Sequence, residues 1–254
     1  MKTLGIFGDS FASLDANKPR SLHTAWPQCI DRSGIYQTTV IARPCTSFYW
    51  TYRNFLEQHG QFEKIVCIVT KPGRVTIRNH PYFMGMPFGS SGLAQCEYML
   101  TKQANKLTDH ERKIIESIRD YMIYAQDYDY ERDANAQLLE HLKRLRPDAI
   151  FIPMGSALPN LANPSMLNFV ELICRSLKPE MLDVFFPKGL VGGGWYPQHE
   201  RDLIQCHMTP EVNQLFADHV LEALEMGIWA PQLPDTIAHQ HTWEDYYGQR
   251  PLFD

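Results

Sequence analysis

Two apolar spacings alternate along the chain. Thr3–Phe7 is a short apolar run stopped by Gly8-Asp9-Ser10, the pattern of a buried strand that ends in a tight turn. Tyr36–Ile41 is rich in β-branched residues and predicts a second strand. Ile65–Val69, an unbroken apolar run between Lys64 and Thr70-Lys71-Pro72-Gly73, predicts a third, and Ala149–Ile152 a fourth. Unbroken runs of this kind suit parallel strands buried on both faces. Between them, Phe48, Tyr52 and Phe55 recur at helical spacing and mark a helix over 47–58 that stops at His59-Gly60. Thr108-Asp109-His110-Glu111 opens a helix to about Ala125 with capping-box chemistry. A further helix covers roughly 130–145 and ends at Arg146-Pro147, and another is expected over about 164–177. The last starts at Thr209-Pro210-Glu211, with Thr209 as N-cap and Pro210 at the first helical position, and runs to about Met226.

Strands alternating with helices imply an α/β fold: a parallel sheet covered on both faces, with right-handed crossovers and ligands beyond the carboxyl ends of the strands. Gly8-Asp9-Ser10 and Thr70-Lys71-Pro72-Gly73 fall at two such ends. From Arg74 to about Thr108 the pattern fails, because Pro81, Gly85, Pro87, Gly89 and Gly92 interrupt it, and a long loop or insertion is expected there. The stretch 187–206 reads as a loop around Gly192-Gly193-Gly194. The chain of 254 residues is therefore expected to form one domain over 1–227, with an insertion at about 74–108 and an aromatic, proline-rich tail over 228–254.

Composition narrows the function classes. With 44% hydrophobic and 21% charged residues the chain has the make-up of a globular protein with a large core, and its net charge of −5 gives no electrostatic drive toward nucleic acid or anionic lipid. No stretch approaches the ~18 apolar residues that span a bilayer. The apolar run at the N-terminus is shorter than the h-region of a signal peptide. The six cysteines are scattered without a CxxC pair and read as reduced, mostly buried thiols, so a cytoplasmic setting without a zinc site is expected. No nucleic-acid or membrane partner is expected, and oligomeric state stays open.

The candidate chemistry lies at opposite ends of the chain. A serine hydroxyl is a weak nucleophile until a neighbouring base removes its proton. Ser10, just after the first strand in a turn that Gly8 makes feasible, is one candidate, although Gly-Asp-Ser also reads as a plain turn and helix N-cap. Near the far end, His207 immediately precedes the capped helix and is placed to act as base, and a carboxylate nearby would fix its tautomer.

Gly8-Asp9-Ser10-Phe11, followed distantly by Asp202 and by His207-Met208-Thr209-Pro210-Glu211-Val212-Asn213, resembles the first and last motif blocks of SGNH (GDSL-type) hydrolases. The resemblance implies a three-layer α/β/α, flavodoxin-like fold and hydrolysis of esters, thioesters or acetylated sugars without metal or cofactor. It implies Ser10 as nucleophile, His207 as general base then acid, and Asp202 as the orienting carboxylate. Three departures stand against the pattern. The family's aspartate lies three residues before the histidine, where this chain has Ile204; Asp202, Glu200 or a Ser–His dyad would take its place. The family's middle glycine, an oxyanion donor, corresponds to Cys45 or a neighbour within Ala42-Arg43-Pro44-Cys45-Thr46-Ser47. The family's asparagine after the third strand is replaced by Thr70-Lys71-Pro72-Gly73-Arg74, where Thr70 or Arg74 would compensate or bind substrate.

The expected function is thus a serine-dependent esterase or deacetylase acting through an acyl-serine on a small-molecule or carbohydrate ester. A catalytically inactive binding module and an acyltransferase using the same site are the alternatives. Other residues read as structural. His23 precedes Trp26-Pro27; His239 and His241 lack a carboxylate or cysteine cluster for a metal; Cys206 beside His207 points the other way on an extended segment. Gly192-Gly193-Gly194 lacks the Lys-Ser/Thr of a phosphate loop, leaving Trp195 and Tyr196 as surface aromatics or stacking groups near the site.

Overall fold

The computed structural model describes residues 1–9, 11–13, 25–43, 46–70, 74–75, 86–87, 96–97, 99–102, 104–154 and 210–233. Four parallel strands form its sheet: β1 (Lys2–Gly8), β2 (Tyr36–Ala42), β3 (Lys64–Val69) and β6 (Ile150–Pro153), in the order β2-β1-β3-β6. The chain steps from β1 outward to β2, then crosses to β3 on the other side of β1. The order therefore reverses between β1 and β3, whose carboxyl ends flank the crevice where open α/β sheets bind ligands.

Helices cover both faces. On one lie α1 (Trp26–Arg32) and α5 (Pro210–Met226), packed through Trp26, Ile30, Val212, Phe216 and Val220 onto Leu4, Ile6, Val66, Ile68, Ile150 and Ile152. On the other lie α2 (Phe48–Gln58) and α4 (Tyr128–Leu145), which bring Phe48, Phe55, Leu139 and Leu142 onto Phe7, Ile65, Cys67, Val69 and Phe151. Successive strand residues thus face opposite layers, as the period of a strand requires. Two-sided burial explains why β3 is an unbroken apolar run rather than an alternating one. Close approach decides two positions: a Cβ at Gly5 would run into the Phe62 ring, and one at Gly8 would lie 2.9 Å from Ile68 Cβ.

The expected strands and the helices at α2, α3 (Asp109–Tyr124) and α5 agree with the structure to within a residue or two. Ser47 caps α2 by accepting from Trp50 N–H, and Thr108 with Glu111 forms the capping box of α3. Helix α4 starts two residues earlier than the sequence pattern indicated, because Asp127 accepts from Tyr130 N–H and serves as N-cap. Helix α1 was not anticipated: its N-cap is Ala25, which carries no acceptor, and it spans only 7 residues. The expected loop from Arg74 holds two-residue strands, β4 (Arg74–Val75) and β5 (Met86–Pro87), paired antiparallel and too short for alternation to register. Further along it, Cys96, Met99, Leu100 and Leu107 pack against Ile115, Ile118 and Met122 of α3. Trp229, just past α5, is buried on Phe216 at 5.4 Å between ring centroids. The helix expected over 164–177, the loop over 187–206 and the tail from 234 onward lie outside the described residues. No helix among the described residues is long and apolar enough to cross a membrane.

At the amino-terminal end of the sheet one side chain joins two connections. Arg146 donates to the carbonyls of His59 (2.8 Å), Phe62 (3.1 Å) and Glu63 (3.2 Å) and holds Asp148 through two bonds of 2.9 and 3.0 Å. The turn before β3 is thereby tied to the turn before β6. Removing the largely buried guanidinium in Arg146→Ala is expected to cost about 2 kcal/mol, the scale of hydrogen bonds made by a charged donor, read from urea denaturation. The bond from Arg146 also holds the Asp148 carboxyl below its ordinary pKa. A depressed carboxylate stabilises the fold above its unfolded pKa of about 4 and loses that contribution as pH falls through the lower folded value. Acid titration of stability should therefore be shallower below pH ~4 in Arg146→Ala than in wild type.

Candidate active site

The carboxyl edge of the sheet collects the buried polar side chains. Among the described residues seven polar or charged ones are buried: Asp9, Ser13, Thr46, Ser47, Thr51, Thr70 and Asn213. Asp9 and Ser13 follow β1, Thr46 leads out of β2, Ser47 caps α2, Thr51 sits in its first turn, Thr70 follows β3 and Asn213 lies near the start of α5. Elsewhere among the described residues the buried side chains are hydrophobic ones, Tyr36 included.

The turn after β1 is built by Asp9. Its Oδ1 accepts from Phe11 N–H at 3.1 Å, and its carbonyl accepts from Ala12 N–H (3.1 Å) and Ser13 N–H (3.0 Å). Ser10, between two buried neighbours, lies outside the described residues. Gly8 serves this turn through space: no positive φ is involved, and a methyl group would strike Ile68 and approach Ala12 Cβ at 3.2 Å. Its expected role in making the turn feasible is thus one of close packing.

The loop after β2 leaves from the next strand. Arg43 N–H donates to Gly8 O at 3.3 Å, and the Thr46 hydroxyl closes the loop on Arg43 O at 2.9 Å. Cys45, expected to stand near an oxyanion donor, lies outside the described residues. The described thiols are not activated: burial raises the pKa of Cys67 and Cys29 and pushes Cys96 up to about 11.

Thr70 is fully buried at the end of β3, and its hydroxyl has no hydrogen-bond partner among the described residues. The register runs Leu4↔Lys64 through Phe7↔Cys67. The register ends there, and Thr70 follows β3 on the side of the sheet where β1 gives way to the Asp9 turn. Arg74 falls in β4, and its side chain lies outside the described residues, as do Asp202 and His207 and the alternatives Glu200 and Cys206. His23, Trp195, Tyr196, His239 and His241 also lie outside them. No metal-holding group of His, Cys, Asp or Glu occurs among the described residues.

Two residues without an expected role, Trp26 and Asn213, connect the ends of the chain. Trp26 Nε1–H donates to Phe11 O at 2.7 Å, and Trp26 N–H donates to Asn213 Oδ1 at 2.9 Å. The indole packs on Phe216 at 5.0 Å between centroids. The visible signal was Trp26-Pro27, with proline in a helical first turn and Gln28 Oε1 accepting from Ala25 N–H at 3.0 Å.

Comparison of the sequence with models of known families gives no match, and comparison with curated proteins gives none.

An unpaired buried hydroxyl costs about 1–3 kcal/mol relative to an apolar group of the same shape. Thr70→Val is therefore expected to leave the melting temperature unchanged or to raise it, measured by differential scanning calorimetry. A clear loss of stability would show that the hydroxyl has a structural partner.

Proposed function

We propose that the chain is a serine hydrolase of the SGNH kind, with a flavodoxin-like fold, cleaving esters through an acyl-serine at Ser10. The observation that carries this reading is the buried Thr70 hydroxyl, without a partner among the described residues, just past β3 at the sheet's reversal point. The strand order supports it, because β2-β1-β3-β6 is how flavodoxin-like sheets begin, and their ligands bind between the first and third strands. The resemblance of Gly8-Asp9-Ser10-Phe11 and of the His207 block to the family's motifs supports it as well.

In this mechanism Ser10 Oγ attacks the ester carbonyl as His207 takes its proton, and Asp202 stabilises the resulting imidazolium. The carbonyl electron pair moves onto oxygen, where the Ser10 backbone N–H, a donor from the Cys45 segment and the Thr70 hydroxyl hold the oxyanion. Collapse breaks the ester C–O bond, and the departing alcohol takes the proton from His207. Water then attacks the acyl-serine, gives a proton to His207, and the acid leaves as Ser10 regains its hydrogen. Arg74 is assigned to the substrate side of the site. No metal or cofactor takes part in these steps. The substrate class is a small-molecule or carbohydrate ester, and the setting proposed with it is cytoplasmic.

Purified protein should hydrolyse a short-chain aryl ester and be labelled stoichiometrically at Ser10 by a fluorophosphonate, with both activities abolished in Ser10→Ala. Thr70→Val should lower kcat by about 100-fold, the usual effect of deleting one oxyanion donor. Absence of labelling in wild type would identify a binding module on the same fold.

A further inference from the structure

We infer that Trp26 and Asn213 are positioning residues, a brace that holds the start of α5 against the turn after β1 and so sets the separation of His207 from Ser10; the role in catalysis rests on the reading above. Three hydrogen bonds run in series through buried groups. Asp9 Oδ1 accepts from Phe11 N–H, Phe11 O accepts from Trp26 Nε1–H, and Asn213 Oδ1 accepts from Trp26 N–H. Both partners of Trp26 matter. At the start of α1 its N–H is one of the donors that a helix leaves unsatisfied, and Ala25 at the N-cap has no acceptor to offer. The acceptor comes instead from a residue 187 positions away. A helix cap is thus made into a link between distant parts of the chain.

Covalent geometry extends the brace to the proposed chemistry. Ser10 is bonded to Asp9 on one side and Phe11 on the other, so its Cα lies about 3.8 Å from each neighbour's. His207 precedes Pro210, the first residue of α5, by a tether no longer than about 11 Å at full extension. Apolar burial of Val212, Phe216, Ala217, Phe11, Ala12 and Trp26 in one cluster brings the two regions together but is non-directional. Directed bonds at 2.7 and 2.9 Å fix the offset. A shift on the order of 1 Å between nucleophile and base is enough to cost about 100-fold in rate.

The test compares variants that delete a bond with one that deletes only packing, each checked for native circular dichroism. Trp26→Phe keeps a ring against Phe216 and loses the Nε1–H donor; Asn213→Leu loses the acceptor, and Asn213→Asp retains one. Phe216→Leu trims the packing and leaves both bonds. Wild type is first labelled with a fluorophosphonate. Trp26→Phe and Asn213→Leu are expected to lower kcat on the aryl ester by about 10–100-fold, with KM within about twofold. The acid limb of their kcat/KM–pH profile, which reports the base, should move. Asn213→Asp should recover most of the rate, and Phe216→Leu should lose stability while keeping kcat within about twofold. The brace is overturned if folded Trp26→Phe and Asn213→Leu keep wild-type kcat, or if Phe216→Leu lowers kcat as much as they do. Should Trp26→Phe not fold, Asn213→Leu decides alone. Wild type that resists labelling at Ser10 overturns the hydrolase reading itself and the brace's catalytic role with it, an outcome separate from a labelled wild type with indifferent variants.

Discussion

A parallel sheet closed by helices on both faces leaves a buried polar side chain few places to be satisfied. Inside the sheet the backbone N–H and C=O groups are used by the ladder, and both flanking layers here are hydrocarbon. A hydroxyl or carboxylate in the middle of β1 or β3 would lose its hydration without a partner. Where strands end and helices begin, the backbone still has spare groups. Asp9 takes one from Phe11, Ser47 one from Trp50, and Asn213 one from Trp26. The concentration of buried polar residues at the carboxyl edge therefore follows from the backbone before any question of function arises.

The same constraint makes the edge rigid. Gly8 lets the first turn lie directly on Ile68, and any side chain there would push β1 and β3 apart. On the α1–α5 face the core joins residues from both ends of the chain, including Phe11 after β1 and Trp229 after α5. That packing is close, with Phe216 held between the two tryptophan rings at 5.0 and 5.4 Å. Apolar burial supplies the association, and hydrogen bonds at its upper rim supply the direction.

Much of this was legible from sequence because burial on two faces writes itself as unbroken apolar runs and because caps use recognisable residues. Ile65–Val69 and Thr108 with Glu111 are such cases. Helix α1 was missed since it is short, Ala25 at its N-cap has no side-chain acceptor, and Trp26 N–H finds its acceptor on the remote Asn213, so that Trp26-Pro27 was its one local signal. The β4–β5 pair was missed since two residues show no period. Of the site, the turn residues and Thr70 were legible as strand ends, whereas the state of the Thr70 hydroxyl depends on burial and neighbours that no spacing conveys. Trp26 read as an ordinary aromatic because its two bonds reach parts of the chain remote in sequence.

Thr70 carries the final step. Valine has nearly the same shape and would fill the end of β3 without an unpaired donor, so packing alone gives no reason for a hydroxyl there. Thr51 shows that one unpaired buried hydroxyl is no proof of a site: it is buried within α2, between Phe48 and Phe55 in sequence. The two differ in place. Thr70 stands just past β3 at the reversal of strand order, where an α/β sheet presents its ligand-binding edge. A buried donor without a partner among the described residues breaks no bond when negative charge develops beside it, which is the condition under which a hydrogen bond contributes most to a transition state. Under the proposed reading, the shorter Thr70 side chain, one residue past β3, would offer the donor that the resembling family takes from its asparagine.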